Sequence, residues 1–201
     1  GCNYFEFSQN TVHGNGGLLV DYLYGGQFEA ALINFGVSQN VVCRDNMIHN
    51  SMVWGYEPQW ADSIFIMNVD LTDSTGTIDV RNNNIFRDPE VLALNPDSLV
   101  IPEWFDPELA SLIGTRGSGY GFMSENVTFN NVPDMQPLWD ALVSYFESPS
   151  APFDIYLELP TEPTAAEVDF GYTGKWAPTA STTGGPLGDA RWHDNVTVGV
   201  E

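Results

Sequence analysis

The chain has 201 residues, with 27 Asp and Glu against 6 Lys and Arg, for a net charge of −21. So anionic a surface repels nucleic-acid backbones and anionic membranes, and no nucleic-acid partner is expected. Yet 43% of the residues are hydrophobic, which supports a substantial core and excludes a disordered acidic tail.

No apolar run approaches the length of a membrane span, so no membrane insertion is expected. Gly1-Cys2 has the form of a lipoprotein signal junction, but Gly1 is still attached. A mature or excised segment of something longer is the expected origin.

Phe5-Glu6-Phe7-Ser8-Gln9-Asn10-Thr11-Val12-His13 opens a pattern that returns as Val41-Val42-Cys43-Arg44-Asp45-Asn46-Met47-Ile48-His49. It returns again as Ile78-Asp79-Val80-Arg81-Asn82-Asn83-Asn84-Ile85-Phe86. Each copy reads apolar-x-apolar-polar-polar-Asn-x-apolar, and the Asn positions lie 36 and 37 residues apart. A fixed period of this size implies stacked units, because one unit cannot bury its apolar face alone. Alternation places Phe5, Phe7, Val41, Cys43, Ile78 and Val80 inward. Glu6, Val42, Asp79, Ser8, Arg44 and Arg81 point outward. Asn10, Asn46 and Asn83 are expected as corner residues, since Asn tolerates left-handed backbone and can hydrogen-bond its own turn, after which Val12, Ile48 and Ile85 re-enter the core.

Strand, Asn corner, strand describes one coil of a parallel β-helix. The expected fold is therefore all-β: a right-handed parallel β-helix of about 3–4 coils over residues 1–132. Further strands are expected at 17–20, 30–35 and 63–69. The first coil begins at Phe5 with nothing amphipathic before it, so its open end calls for a removed domain or a stacked neighbour. Cys43 lies in an inward column, and a Cys2–Cys43 disulfide between coils is the one pairing that two cysteines allow.

Val53-Trp54-Gly55-Tyr56-Glu57-Pro58-Gln59-Trp60 gathers three large rings in an inter-coil loop. Trp54, Tyr56 and Trp60 are the candidate sugar-stacking platform, although packing on the flank of the coils is the commoner use of such rings. Asp70-Leu71-Thr72-Asp73-Ser74-Thr75-Gly76 offers Asp70 and Asp73 as ligands for Ca²⁺, the one cofactor the sequence suggests. An ordinary Asp-rich turn explains the same residues. A loop-rich insertion is expected over about 88–121, with a short helix near 107–113. A degenerate fourth coil is read at 126–131.

Residues 133–147 then switch to helical spacing, with Leu138, Trp139, Leu142, Val143 and Phe146 on one stripe. Asp134 is the cap, and the helix is expected to plug the core after the last coil. The segment 148–201 is irregular and rich in Pro, Thr and Gly, with strands at 154–159 and 195–200, and is expected to pack on the β-helix.

Val168-Asp169-Phe170-Gly171-Tyr172 followed by Gly184-Gly185-Pro186-Leu187-Gly188-Asp189-Ala190-Arg191-Trp192 resembles a known ending. It is similar to the C-termini of secreted and surface-anchored right-handed β-helix proteins of Bacteroidetes-type bacteria, of the pectate-lyase-like superfold. Ala190 stands where that tail carries Pro. The resemblance implies an extracellular or cell-surface location. It also makes Ser63, Ser74 and Ser98, each in an Asp-Ser-apolar or Asp-Ser-Thr setting, candidate O-glycosylation sites. Asn126-Val127-Thr128 and Asn195-Val196-Thr197 are N-glycosylation sequons.

Catalytic signals are sparse. A hydrolase needs a carboxylate cluster, and the chain has no Asp-Asp pair. A lyase needs Ca²⁺ and a basic residue, for which Arg44 and Arg81 share an outward column. Surface arginines paired with Asp45 and Asp79 account for that column as well. His13 and His49 share another column, read as ordinary packing with a metal pair as the sharper option. The expected protein is thus a non-enzymatic structural or adhesive one of the self-assembling, filament type, with copies of itself or surface glycans as its partners. A polysaccharide-binding or Ca²⁺-dependent lyase-like protein is the rival.

Overall fold

A computed structural model describes residues 3–14, 31–34, 39–51, 65–68, 76–94, 103–105, 107, 109–111, 122–147 and 168–193. Strands dominate these residues and the fold class is all-β. Strands β1 (Phe5–Ser8), β4 (Val41–Arg44) and β7 (Ile78–Arg81) form one parallel sheet. A second holds β2 (Thr11–His13), β5 (Met47–His49), β8 (Asn83–Phe86) and β10 (Phe122–Met123) in parallel. A third holds β3 (Ala31–Asn34), β6 (Phe65–Asn68) and β9 (Glu103–Phe105). Outside these, β11 (Thr128–Asn131) pairs antiparallel with β12 (Asp169–Thr173).

Register follows the sequence repeat. Phe5 lies beside Val41 and Val41 beside Ile78, with Phe7, Cys43 and Val80 in the parallel column. Val12, Ile48 and Ile85 align in the second sheet. We call β1–β2, β4–β5 and β7–β8 rows one, two and three. Ile48 and Ile85 are fully buried, each contributing roughly 1.5–3 kcal/mol of apolar burial. In row one, Phe5, Phe7 and Val12 are only half-buried, whereas Val41, Cys43, Ile78 and Val80 are buried.

The corners differ from expectation by one residue. The left-handed residues are Gln9, Asp45 and Asn82, at φ 56°, 59° and 53°. Asn10, Asn46 and Asn83 follow the left-handed position and act through their side chains, the Asn10 amide bonding its own turn at the Ser8 carbonyl at 3.0 Å. The chain reverses one step earlier, which leaves each Asn amide turned into the stack.

The 88–121 segment is more regular than its prolines suggest. It carries helix α1 (Pro89–Leu92), capped by the Asp88 side chain on the Glu90 N–H. It also carries β9, which pairs with β6, and helical residues at 107 and 109–111. The fourth row is not 126–131 as expected. Phe122 and Met123 pair with Asn83 and Asn84, while Phe129 pairs with Tyr172 in the antiparallel hairpin.

Helix α2 covers Gln136–Glu147, with the Asp134 carboxylate accepting the Gln136 N–H at 3.0 Å and Leu138 and Trp139 buried. Its entry lies at row one rather than beyond the last row. A Cβ on Gly14, itself at φ +66°, would sit 2.8 Å from the Met135 side chain. The expected strands at 17–20, 154–159 and 195–200 lie outside the described residues.

Candidate functional site

The corner between each pair of strands is closed by a ladder of asparagines. The Asn46 Oδ1 accepts the Asn10 backbone N–H at 2.9 Å and the Asn10 Nδ2–H at 3.2 Å. The Asn83 Oδ1 accepts the Asn46 backbone N–H at 3.2 Å and the Asn46 Nδ2–H at 2.8 Å. Each amide also reaches back one row, from Asn46 to the Phe7 carbonyl at 2.8 Å and from Asn83 to the Cys43 carbonyl at 2.9 Å. Asn46 and Asn83 are buried, so the bonds that join them, and the one from Asn83 to Cys43, satisfy groups that water cannot reach. Asn84 continues the ladder into the fourth row, exchanging bonds with the Glu125 N–H and carbonyl at 2.7 and 3.0 Å.

On the outward column the two arginines converge on one acid. Asp79 lies 2.8 Å from Arg81 and 3.8 Å from Arg44. Asp45, the other expected partner, does something else. It is buried, and its carboxylate accepts the Thr182 N–H at 2.7 Å and the Thr182 hydroxyl. At the end of the same sheet the exposed Tyr4 donates its hydroxyl to Glu6 at 2.6 Å.

The C-terminal residues clasp this stack. The Gly188 N–H donates to the Asp45 carbonyl at 2.6 Å, and the Asp189 N–H to the Thr11 hydroxyl at 3.0 Å. Asn82 donates to the Ala180 carbonyl at 2.7 Å. Gly188 sits at φ +77°, and a Cβ there would strike the Thr11 hydroxyl and come 2.9 Å from the Met47 Cβ. Only glycine combines that backbone with that approach. Leu187 is fully buried, and the Tyr172 hydroxyl lies between the carbonyls of Ala177 and Leu187 at 3.1 and 3.0 Å. Asp189 holds the Arg191 guanidinium at 2.9 and 3.0 Å and caps the turn Ala190–Trp192. Leu187, Gly188 and Asp189 of the tail motif thus dock the segment on the stack.

Glu125 anchors the other end of that segment. Its carboxylate accepts the backbone N–H groups of Lys175, Trp176 and Ala177, the last at 2.7 Å, ahead of the turn Ala177–Thr179. Burial alone would raise this carboxyl, but the N–H donors of Ala177, Lys175 and Trp176 outweigh it and hold the group below the usual carboxylate range. Such capping is worth about 1–2 kcal/mol. Glu125→Ala should lose that amount in urea unfolding at pH 7. Because the folded carboxyl is depressed, the gap between wild type and variant should close as pH falls below about 4.5.

A second cluster lies where the tail meets the sheets. The His13 and His49 rings stack at 5.2 Å and 24°, and Phe86 follows His49 at 5.2 Å. Phe129 stands edge-on to both histidines, at 5.4 and 5.2 Å. It also contacts Phe170 and Tyr172. Tyr172 meets His193 at 4.5 Å, and Phe170 meets Trp192 at 5.4 Å.

Among the sequence-derived candidates, Trp54, Tyr56, Trp60, Asp70, Asp73, Ser63, Ser74, Ser98, Cys2 and Asn195 lie outside the described residues. Cys43 is fully buried in the inward column, and burial pushes its thiol up to about 12. Asn126 is exposed, with its side-chain oxygen 3.5 Å from the His49 Nε2. Among the described residues no three His, Cys, Asp or Glu side chains gather as a metal group. No helix there is long and apolar enough to cross a membrane. Thr11, Glu125 and Thr182 carry the clasp with no sequence signal marking them, whereas Tyr172 and the Gly-Asp-x-Arg string belong to the tail resemblance. No family model, no curated protein and no solved structure matches the chain.

Proposed function

We propose that the three parallel sheets are the faces of a right-handed parallel β-helix, and that the protein does structural or adhesive work outside the cell. Parallel strands joined by crossovers are right-handed in nearly all proteins, and three sheets advancing by one repeat per row fit a single coil path. The observation that carries the functional reading is where the chemistry-bearing side chains are spent. Arg44 and Arg81 share Asp79, Asp45 holds Thr182, and the ladder amides hold one another. Among the described residues, these side chains are committed to holding the stack.

The tail resemblance supports a secreted or surface location, and the net charge of −21 suits solubility there. Self-association fits the same picture. Phe5, Phe7 and Val12 are half-buried at the row-one edge, and a second copy stacking there would cover them. Light scattering and electron microscopy across a concentration series test this. Concentration-dependent oligomers or filaments are expected, and a strictly monomeric chain at high concentration would overturn the self-assembly reading.

Exposed rings favour one alternative, a polysaccharide-binding or Ca²⁺-dependent lyase-like protein. Trp176 is 58% exposed with Lys175 over its ring at 4.4 Å, and Tyr4 is 57% exposed. A glycan array, together with a uronate-release assay with and without Ca²⁺, separates the two. No turnover is expected, and clear release of unsaturated uronate would replace the structural reading.

A further inference from the structure

The protein has three histidines, and all three sit at one junction. His13 on β2 and His49 on β5 face Phe129 on β11, which packs on Tyr172, which packs on His193. Everything on the far side of Phe129 belongs to the β11–β12 hairpin and the tail. We propose that this junction is an acid-released latch, in which neutral histidines hold the hairpin and tail on the parallel sheets and their protonation lets go.

The geometry has no room for imidazolium. His49 is 7% exposed, and the Nδ1 atoms of both His13 and His49 are buried without a hydrogen-bond partner. A neutral ring can leave Nδ1 as a bare acceptor. A protonated ring must donate from both nitrogens, and here one donor would point at nothing. Two protonated rings stacked at 5.2 Å would also repel across an apolar gap closed by Phe86 and Phe129.

The charged groups on the neighbouring elements are mostly engaged elsewhere, and the pull of Asp88 on His49 and of Asp169 on His193 toward the protonated form is outweighed by burial. Asp45 holds Thr182, and Asp88 caps Glu90. Glu125 holds three tail N–H groups, and Asp134 caps α2. Asp169 accepts from Asn130 and the Gly171 N–H, and Asp189 pairs with Arg191. Arg87 follows β8 and adds positive charge. Burial, reinforced by His49, holds His13 down at about 4. Burial holds His49 below the ordinary range against Asn126 and Asp88, and His193 against Asp169. With folded values depressed, the latch is fully closed above about pH 6.5 and weakens as pH falls toward the folded values. Acidification meanwhile relieves the overall negative charge, so release at this junction runs against the global trend.

Hydrogen exchange on the full chain at pH 7.5, 6.0 and 5.0, corrected for the intrinsic rate, tests the proposal. Residues 128–131 and 168–193 should lose protection by at least about tenfold while β4, β5, β7, β8 and β10 keep theirs. Uniform loss, or no loss, would overturn it. The double variant His13→Phe, His49→Phe should flatten the response, and an unchanged transition in that variant would overturn it too. Should the variant not fold, NMR titration of the wild-type imidazoles decides. His13 and His49 titrating near pH 6.5 with the hairpin still protected would rule the latch out.

Discussion

Asn46→Ala should destabilise the protein by about 3–5 kcal/mol in urea unfolding, more than any exposed substitution. The side chain accepts from the Asn10 backbone and amide and donates to Phe7 and Asn83. Deleting it strands the half-buried Asn10 N–H and Phe7 carbonyl, at roughly 1–3 kcal/mol each, and leaves a gap at a buried position. Asn46→Asp is the sharper probe. It keeps the acceptor for Asn10 but sets an oxygen against the Phe7 carbonyl and the Asn83 Oδ1. At pH 7 it should be at least as damaging as alanine, and acid should restore part of the loss by supplying one donor proton. Because Asn46 and Asn83 share a bond, their double variant should cost less than the two single losses combined. A loss under about 1 kcal/mol for Asn46→Ala would mean the ladder is ornamental.

Gly76→Ala should cost more than about 4 kcal/mol or prevent folding altogether. A Cβ at Gly76 would land on the Gln39 carbonyl, overlapping its oxygen and carbon and lying 2.9 Å from its Cα. These are backbone atoms, so no rotamer change gives relief. The corner is also pinned from both sides. Asn40 accepts from the Thr77 N–H and hydroxyl at 3.2 and 2.9 Å and donates to the Asn3 carbonyl at 2.8 Å. Separating Gly76 from Gln39 would break these bonds and the 2.8 Å bond from Val41 to Thr77. Gly185→Ala is the control, since its nearest neighbours would be hydroxyls at 3.7 and 3.9 Å. Circular dichroism and soluble yield should separate the two variants cleanly.

The inward columns were legible because alternation within a strand and the repeat between strands point the same way. Val41, Cys43, Ile78 and Val80 needed nothing more. The corners were legible only to within one residue. Asn, Asp and Gln can all occupy a turn, and composition does not say whether an Asn acts through its φ or its amide. β9 was hidden because Pro102 and Pro107 flank it, although it follows β6 at nearly the spacing that separates the other rows. The shared column of His13 and His49 could be read directly. Phe129 and His193, which close around them, could not. Likewise Asp45 meets Thr182 across 137 residues, and Asp189 meets Thr11 across 178. No local pattern encodes such pairs, because each member is an ordinary polar residue until the tail arrives.

The ladder also gives the stack a direction that backbone pairing alone does not. Each row hands its corner N–H forward to the next Asn, and each Asn returns its amide to a carbonyl in the row behind. A row inserted backward, or out of phase by one residue, would present donor to donor. The length of this protein is therefore quantised: evolution or an engineer can lengthen it by whole rows, in one orientation, and by nothing smaller.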